Sequence, residues 1–263
     1  MKNTSFLLIA ALFCAAPLAA QEVEETAVAE TQSAASELAQ KATSALINSQ
    51  WQSKFAIAMT ADGDEEASTN ITIDIRLQDV THFAIEAAVT AEDPFEGEVT
   101  QNFTIMCDGE FVYVNSPSLS EMSGGMINGP IKVQVKALMA IAGLDELPTS
   151  DFFASMVDGL LSEIPLTENG STEALRRYSV SHEEEGSIVA CFYGDTFLPA
   201  SMEMASDGQI MTVTASDSSL VEEFAEGAFT FVPADGVVVT DMTAMIQMQM
   251  GGPPAPADDD LEF

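Results

Sequence analysis

Apolar and polar side chains alternate through most of the chain, beginning at residue 51. In the segments WQSKFAIAMT, TNITIDIRLQ and THFAIEAAVT, nearly every second residue is large and apolar. A period of two is typical of a β-strand that buries one face and exposes the other to water. The buried positions predicted for these three strands include Ile57, Met59, Ile73, Ile75, Phe83 and Ile85.

Eight further segments show the same alternation and are predicted to be strands. They span residues 99–107, 111–115, 177–182, 188–193, 200–205, 209–215, 228–232 and 237–241. Asp-Gly pairs begin at residues 62, 108, 207 and 235, within short polar connections. Because glycine adopts the positive φ of tight hairpin turns, these connections predict a mostly antiparallel sheet of ten to eleven strands.

Two segments have helical spacing instead. Residues 34–50 predict one amphipathic helix, and residues 131–164 predict two helices between the halves of the sheet, with N-cap candidates after Pro148. The apolar positions of this insertion include Leu138, Met139, Phe152, Phe153 and Met156. From periodicity alone, the sheet either folds on itself as a sandwich or curves around the helices, and its interior is either filled or hollow.

The first twenty residues, MKNTSFLLIAALFCAAPLAA, have the features of a cleaved secretory signal peptide. Lys2 precedes an apolar run over residues 6–16, and Ala20 stands at the cleavage position. The run is shorter than the roughly 20 apolar residues that span a bilayer. We therefore expect export to the periplasm, with an acidic linker at 21–33, one domain at 34–250 and a disordered tail rich in Pro and Asp at 251–263.

The mature chain retains two cysteines, Cys107 and Cys191. In an oxidising compartment they are candidates for a disulfide. A lipoprotein signal ending at Cys14 is an alternative that the bulky Phe13 disfavours.

The charge of the chain excludes one class of partner. The sequence holds 42 Asp and Glu against 8 Lys and Arg, for a net charge of -34. Such a charge repels phosphate backbones and anionic lipid headgroups, so we expect no nucleic acid partner. We expect a monomer kept in solution by like charge.

Three segments together resemble the bacterial outer-membrane lipoprotein carrier family, the LolA-like proteins. They are IMCDGEFVYVNSP at 105–117, FLPASMEMASDGQIMTVT at 197–214 and FTFVPADGVVVTD at 229–241. The first looks like the family's strand, Asp-Gly turn and aromatic strand, the second like its Leu-Pro strand and hairpin, and the third like its closing strand pair. With the order of the predicted elements, the resemblance spans about residues 34–245.

The resemblance implies an α+β fold in which a curved, incomplete antiparallel barrel has helices as a lid over an apolar cavity for acyl chains. The implied cavity residues are Ile57, Met59, Ile73, Ile75, Phe83, Ile85, Phe103, Phe229 and Phe231. The implied lid residues are Leu138, Met139, Phe152, Phe153 and Met156. The implied function is a non-catalytic carrier or sensor of lipid or lipoprotein acyl chains, with a membrane-bound donor or acceptor protein as a further partner.

Arg76 stands near the place of an Arg-Pro pair that family carriers show, although this sequence lacks the proline. The resemblance implies that Arg76 reaches a backbone carbonyl of the lid. From the residues alone, a solvated strand arginine is an equal alternative.

Other chemistry finds less support in the sequence. His82 and His182 fall on predicted polar strand faces, without a serine elbow or a metalloprotease helix, so we expect no enzyme, no cofactor and no metal. The methionines at 242, 245, 248 and 250 make Cu(I) binding a minor alternative. A second alternative is a filled interaction domain that docks through its acidic face.

Overall fold

The structure, a computed structural model, describes residues 41, 44–61, 64–93, 97–122, 124–141, 167–182, 186–206 and 209–249. The predicted signal peptide, linker, tail and second inserted helix lie outside these residues. The chain divides into two compact units, Ser49–Pro148 with Thr214–Phe263, and Met1–Asn48 with Thr149–Val213. The prediction of a single domain over 34–250 stays a prediction.

Twelve strands lie within the described residues, and all except Ile131–Gln134 and Thr167–Glu168 overlap segments that the sequence predicts as strands. They are β1 (Trp51–Ala61), β2 (Asp64–Asp79), β3 (His82–Asp93), β4 (Gly97–Asp108), β5 (Phe111–Asn115), β6 (Ile131–Gln134), β7 (Thr167–Glu168), β8 (Leu175–His182), β9 (Gly186–Tyr193), β10 (Pro199–Ser206), β11 (Gln209–Leu220) and β12 (Thr240–Asp241).

The hydrogen-bonded order is β12-β6-β5-β4-β3-β2-β1-β11-β10-β9-β8-β7. Neighbours in sequence pair as antiparallel hairpins from β1 to β6, and likewise from β7 to β10. The pair of β12 and β6 is parallel. The predicted fold class, a mostly antiparallel sheet with helices, is thus confirmed.

Three short helices accompany these strands: α1 (Ser118–Met122), α2 (Val135–Ile141) and α3 (Thr243–Gln249). No helix among the described residues is both long and apolar enough to cross a membrane. A helical turn at 44–47 marks the described end of the first predicted helix.

Two predictions of secondary structure are wrong. Residues 131–134 were predicted to begin a helix, but they form β6, because their backbone pairs with β5. Residues 228–232 and 237–241 were predicted to close the sheet as a hairpin. Instead only Thr240–Asp241 is strand, and the residues before it turn at Asp235–Gly236 without pairing as strands.

In the unit that holds β8 to β10, the core is aromatic. Tyr178 meets Phe192 edge to face, and Phe192 stacks on Phe197. Tyr178, Phe197 and Leu198 are buried. Gly186 packs so closely against the Ala205 carbonyl that no Cβ fits between them, and its φ is +104°.

Candidate functional site

The strands β1 to β6 align their apolar side chains in rows on one side of the sheet. Cross-strand register places Ser53, Ile75, Ile85, Ile105, Val114 and Ile131 in one row, and Trp51, Leu77, Phe83, Cys107, Val112 and Val133 in the next. A third row holds Phe55, Ile73, Ala87 and Phe103. Since paired residues share a face, these side chains form one continuous apolar surface, which we call the isoleucine face.

Burial varies across the isoleucine face. Ile57 and Ile73 are each 3% exposed, and Ile75 is buried as well. Met59, Phe83, Ile85 and Phe103 are only half-buried. A fully packed core buries such side chains completely, so this face keeps apolar surface accessible. Seven of the nine predicted cavity residues therefore lie on one face.

Helices α2 and α3 cover the β6 end of the isoleucine face. Val133 of this face packs with Ala137 and Met242, and Ile131, Leu138 and Ile246 pack around them. The hydroxyl of Thr243 accepts a hydrogen bond from the Gln134 amide at 3.0 Å, which fixes the start of α3 on β6. Among the predicted lid residues, Leu138 and Met139 lie on α2, whereas Phe152, Phe153 and Met156 fall outside the described residues.

The opposite side of the same strands carries the polar residues of the alternation together with some apolar ones, including a row of Ala84, Met106 and Tyr113. Residues 221–239, which we call the strap, cover this row. Phe229 is buried against Ala84 and Met106, and Phe231 stacks on Tyr113 with ring centroids 5.0 Å apart. Phe229 and Phe231, which were also predicted to line the cavity, therefore lie on the side of the sheet opposite the isoleucine face.

Arg76 lies on the strap side. One of its Nη atoms donates to the Ala228 carbonyl at 3.3 Å, and the other pairs with Glu86. The arginine does reach a backbone carbonyl, as the resemblance implies, but that carbonyl belongs to the strap. Among the inserted residues that the structure describes, α2 packs on the other face of the sheet.

Cys107 and Cys191 are both free thiols in the structure, and a disulfide between them stays a prediction. Cys107 lies on β4, which pairs with β3 and β5, and Cys191 lies on β9, which pairs with β8 and β10. Burial raises the pKa of the Cys107 thiol.

The structure places both histidines and three of the four C-terminal methionines, and Met250 lies outside the described residues. The Nδ1 of His82 lies 3.1 Å from the Asp79 carboxylate, which accepts a hydrogen bond from it, and the ring meets Phe229 edge to face. His182 is the last residue of β8. Met242 is buried against β6, and Met245 and Met248 are exposed on α3. Within the described ranges, no group of three or more His, Cys, Asp or Glu could hold a metal ion.

A separate cavity of about 280 Å³ lies on the strands β8 to β11. Its lining includes the charged side chains of Arg177 and Glu203 and the hydroxyls of Ser201 and Thr212. An acyl chain gains nothing from such a lining, so this cavity is not a candidate for it.

The sequence signals for the isoleucine face were strong, and those for its opposite side were weak. The alternation in β1 to β4 predicted the face directly. The sequence did not reveal the row of Ala84, Met106 and Tyr113. Along β3, β4 and β5 these residues alternate with apolar residues of the isoleucine face, so their own side was taken as the polar one. The one signal for a covering segment was the aromatic pattern at 229–231.

Comparison with solved structures returns proteins of similar fold. A LolA superfamily protein from Nitrosomonas europaea is 13% identical and covers 75% of this chain and 97% of its own, with a TM-score of 0.30. Lipoprotein LppX from Mycobacterium tuberculosis is 11% identical and covers 77% of this chain and 99% of its own, with a TM-score of 0.35. A chain of the MucA/MucB complex from Pseudomonas aeruginosa is 13% identical, and the match covers 78% of this chain and 63% of that one, with a TM-score of 0.42.

No protein-family model matches the chain, and no curated protein matches it. A LolA superfamily protein is among the solved structures that this chain is similar to.

Proposed function

We propose that this protein binds an acyl chain, or a similarly long apolar ligand, on the isoleucine face. The observation that carries the proposal is the half-burial of Phe83, Ile85 and Phe103 in the middle of continuous apolar rows. The protein acts by burial without chemistry. Together with the predicted signal peptide, this makes it an exported carrier or sensor of lipid or lipoprotein acyl chains.

Burial supplies enough free energy for such a role. Each methylene removed from water contributes about 0.8 kcal/mol, so ten buried methylenes contribute about 8 kcal/mol before the cost of ordering the chain. The isoleucine face offers no charged side chain that would oppose this burial. A carboxylate or other polar end of the ligand would remain outside the apolar rows, because it loses hydration there.

Closure over the ligand would involve the helices that already pack on this face. Leu138 lies beside Val133 and Ile131 in the cluster at β6. Its side chain and the ligand compete for the same apolar surface, so binding and helix packing oppose each other. The predicted lid residues at 152–156 would extend this cover.

The first experiment is native mass spectrometry and lipid extraction of the full chain purified from the periplasm, followed by titration with a fluorescent fatty acid. We expect a bound lipid or saturable uptake. If neither is found in repeated preparations, the chain is a filled domain, and docking through its acidic surface becomes the better explanation.

A pair of matched variants locates the binding surface. Ile85→Asn places an amide in the middle of the isoleucine face, and we expect at least tenfold weaker fatty acid binding. Val232→Asn is the control, because this side chain is 79% exposed on the strap. Equal affinity for both variants would place the ligand elsewhere.

A further inference from the structure

Strand β12 forms one end of the sheet, so one side of its backbone faces β6 and the other side faces away from the sheet. In the parallel pair with β6, the amides of Thr240 and Met242 donate to the carbonyls of Pro130 and Lys132, at 2.9 Å each. Successive backbone groups of an extended strand point to opposite sides. The amide and carbonyl groups of Val239 and Asp241 therefore point away from β6, toward a sheet edge on which no strand of the described residues pairs.

The residues along this edge favour strand formation, and all except the half-buried Val239 are exposed to water. The run Val237–Thr240 is β-branched throughout, which is the composition that strands prefer. Val238 is 77% exposed, and Val237 is exposed beside Gly129. Yet only Thr240 and Asp241 are paired as strand. An exposed edge of this kind is a template for another strand.

The charge around the edge selects the kind of strand. In residues 233–241, which lead into β12, Asp235 and Asp241 are acidic and no residue is lysine or arginine. The nearest lysine to β12, Lys132, is within 3.8 Å of the Asp241 carboxylate and over the Phe111 ring. A basic strand would meet complementary charge here, and complementary charge raises both specificity and the rate of encounter.

The same charge argues against the other occupants. A second copy of the chain brings a further net charge of -34 to an already acidic edge. The chain's own residues 251–263 hold four acidic residues and three prolines, and proline interrupts a strand ladder. A basic partner has neither disadvantage.

We propose that the outer edge of residues 237–241 docks an extended basic segment of a partner protein by adding it as a strand. The backbone groups of Val239 and Asp241 pair with the partner, the exposed Val238 packs under its side chains, and the acidic strap attracts its lysine or arginine residues. This docking does not depend on lipid binding, since it uses the sheet edge and not the isoleucine face.

The test uses the full chain and a synthetic peptide in which lysine alternates with valine and threonine. Hydrogen exchange is resolved by NMR at single amides. With saturating peptide we expect exchange at Val239 and Asp241 to slow at least tenfold, while Thr240 and Met242, which are already bonded, stay unchanged. A peptide with glutamate in place of lysine should leave all four amides unchanged.

Two variants test the contacts separately. Val239→Pro removes an outward donor and should weaken peptide binding at least tenfold. Val238→Lys keeps every backbone group but repels the lysine peptide, so it should also weaken peptide binding. It replaces Val239→Pro as the test if the proline disturbs the fold. Val232→Asn, on the exposed strap, should bind as the unchanged protein does.

Several results would overturn the proposal. One is unchanged exchange at both amides with the lysine peptide, and another is equal protection by the glutamate peptide. If native mass spectrometry shows a dimer with these amides already protected, the occupant is a second copy. If removal of residues 251–263 speeds exchange at these amides in the free chain, the occupant is the chain's own tail.

Discussion

Replacing Phe229 by alanine should reveal how firmly the strap packs on the sheet. Phe229 is 7% exposed and lies against Ala84 and Met106, with Phe224 in edge contact at 5.1 Å between ring centroids. Loss of a buried phenylalanine side chain costs about 3–5 kcal/mol through lost transfer energy and the cavity left behind. The strap can partly collapse into that space, so we expect the lower end, about 3 kcal/mol.

The assay is urea unfolding of the full chain followed by circular dichroism. Val232→Ala is the matched control on the same strap, and we expect a change within about 0.5 kcal/mol, because its side chain is 79% exposed. Phe229→Ala should also speed hydrogen exchange across residues 224–231, because the cluster that holds this segment is broken.

The result also separates the two possible roles of Phe229. If the ring belonged to a lipid cavity, the substitution would weaken fatty acid binding and change stability little. On the strap side, the substitution lowers stability and leaves the half-buried isoleucine face intact. If Phe229→Ala lowered the free energy of unfolding by less than about 1 kcal/mol and weakened fatty acid binding, the packing of Phe229 on Ala84 and Met106 would be refuted.

Three further predictions concern single positions. Gly186→Ala should lower the free energy of unfolding by at least about 2 kcal/mol, measured in urea, because its positive φ and the Ala205 carbonyl leave no room for a Cβ. Burial opposes ionisation of Asp241, yet hydrogen bonds from Thr243 hold its pKa below the usual 3.8. Because Asp241→Ala removes these hydrogen bonds, it should lower the free energy of unfolding by about 1 kcal/mol at pH 7. A thiol reagent at neutral pH should modify Cys191 much faster than Cys107, because burial raises the pKa of Cys107 and shields it.

Each of these predictions has a contrary outcome. Equal stability of Gly186→Ala and the unchanged protein would mean that β9 and β10 can separate at Gly186 at little cost. For Asp241, a depressed pKa in the folded state means that the stability is present above the unfolded value and is lost as pH falls through the folded value. The difference in the free energy of unfolding between the unchanged protein and Asp241→Ala should therefore vanish in acid. A difference that stays constant with pH would exclude ionisation of Asp241 as its cause. Equal labelling of both thiols in the folded protein would contradict the burial of Cys107.

Much of the fold could be predicted because strand alternation is a local property. Residues 111–115 were predicted with the bounds that β5 has, and the hairpins follow from turns that need glycine at positive φ. Residues 131–134 could not be assigned, since four residues are too few to distinguish a period of two from helical spacing. Their strand state comes from pairing with β5 on one side and β12 on the other.

The candidate site was predictable in its strands and not in its cover. The register that joins Ile75, Ile85 and Ile105 into a row follows from short hairpin connections, so the sequence implies the isoleucine face. The alternation of Phe229 and Phe231 has two physical solutions, a paired strand or an extended segment that packs across a sheet. Both bury one side, and only the presence of Ala84, Met106 and Tyr113 beneath the segment selects the second.

By itself, the sequence determined the strand and turn pattern, the acidic charge and the existence of a large apolar face, because these depend on neighbouring residues and on composition. Only the tertiary structure decided which side of the sheet each late segment covers, where Arg76 finds its carbonyl, and that Val239 and Asp241 direct their backbone groups outward. Those outcomes depend on contacts between residues more than a hundred positions apart, and local periodicity carries no information about such contacts.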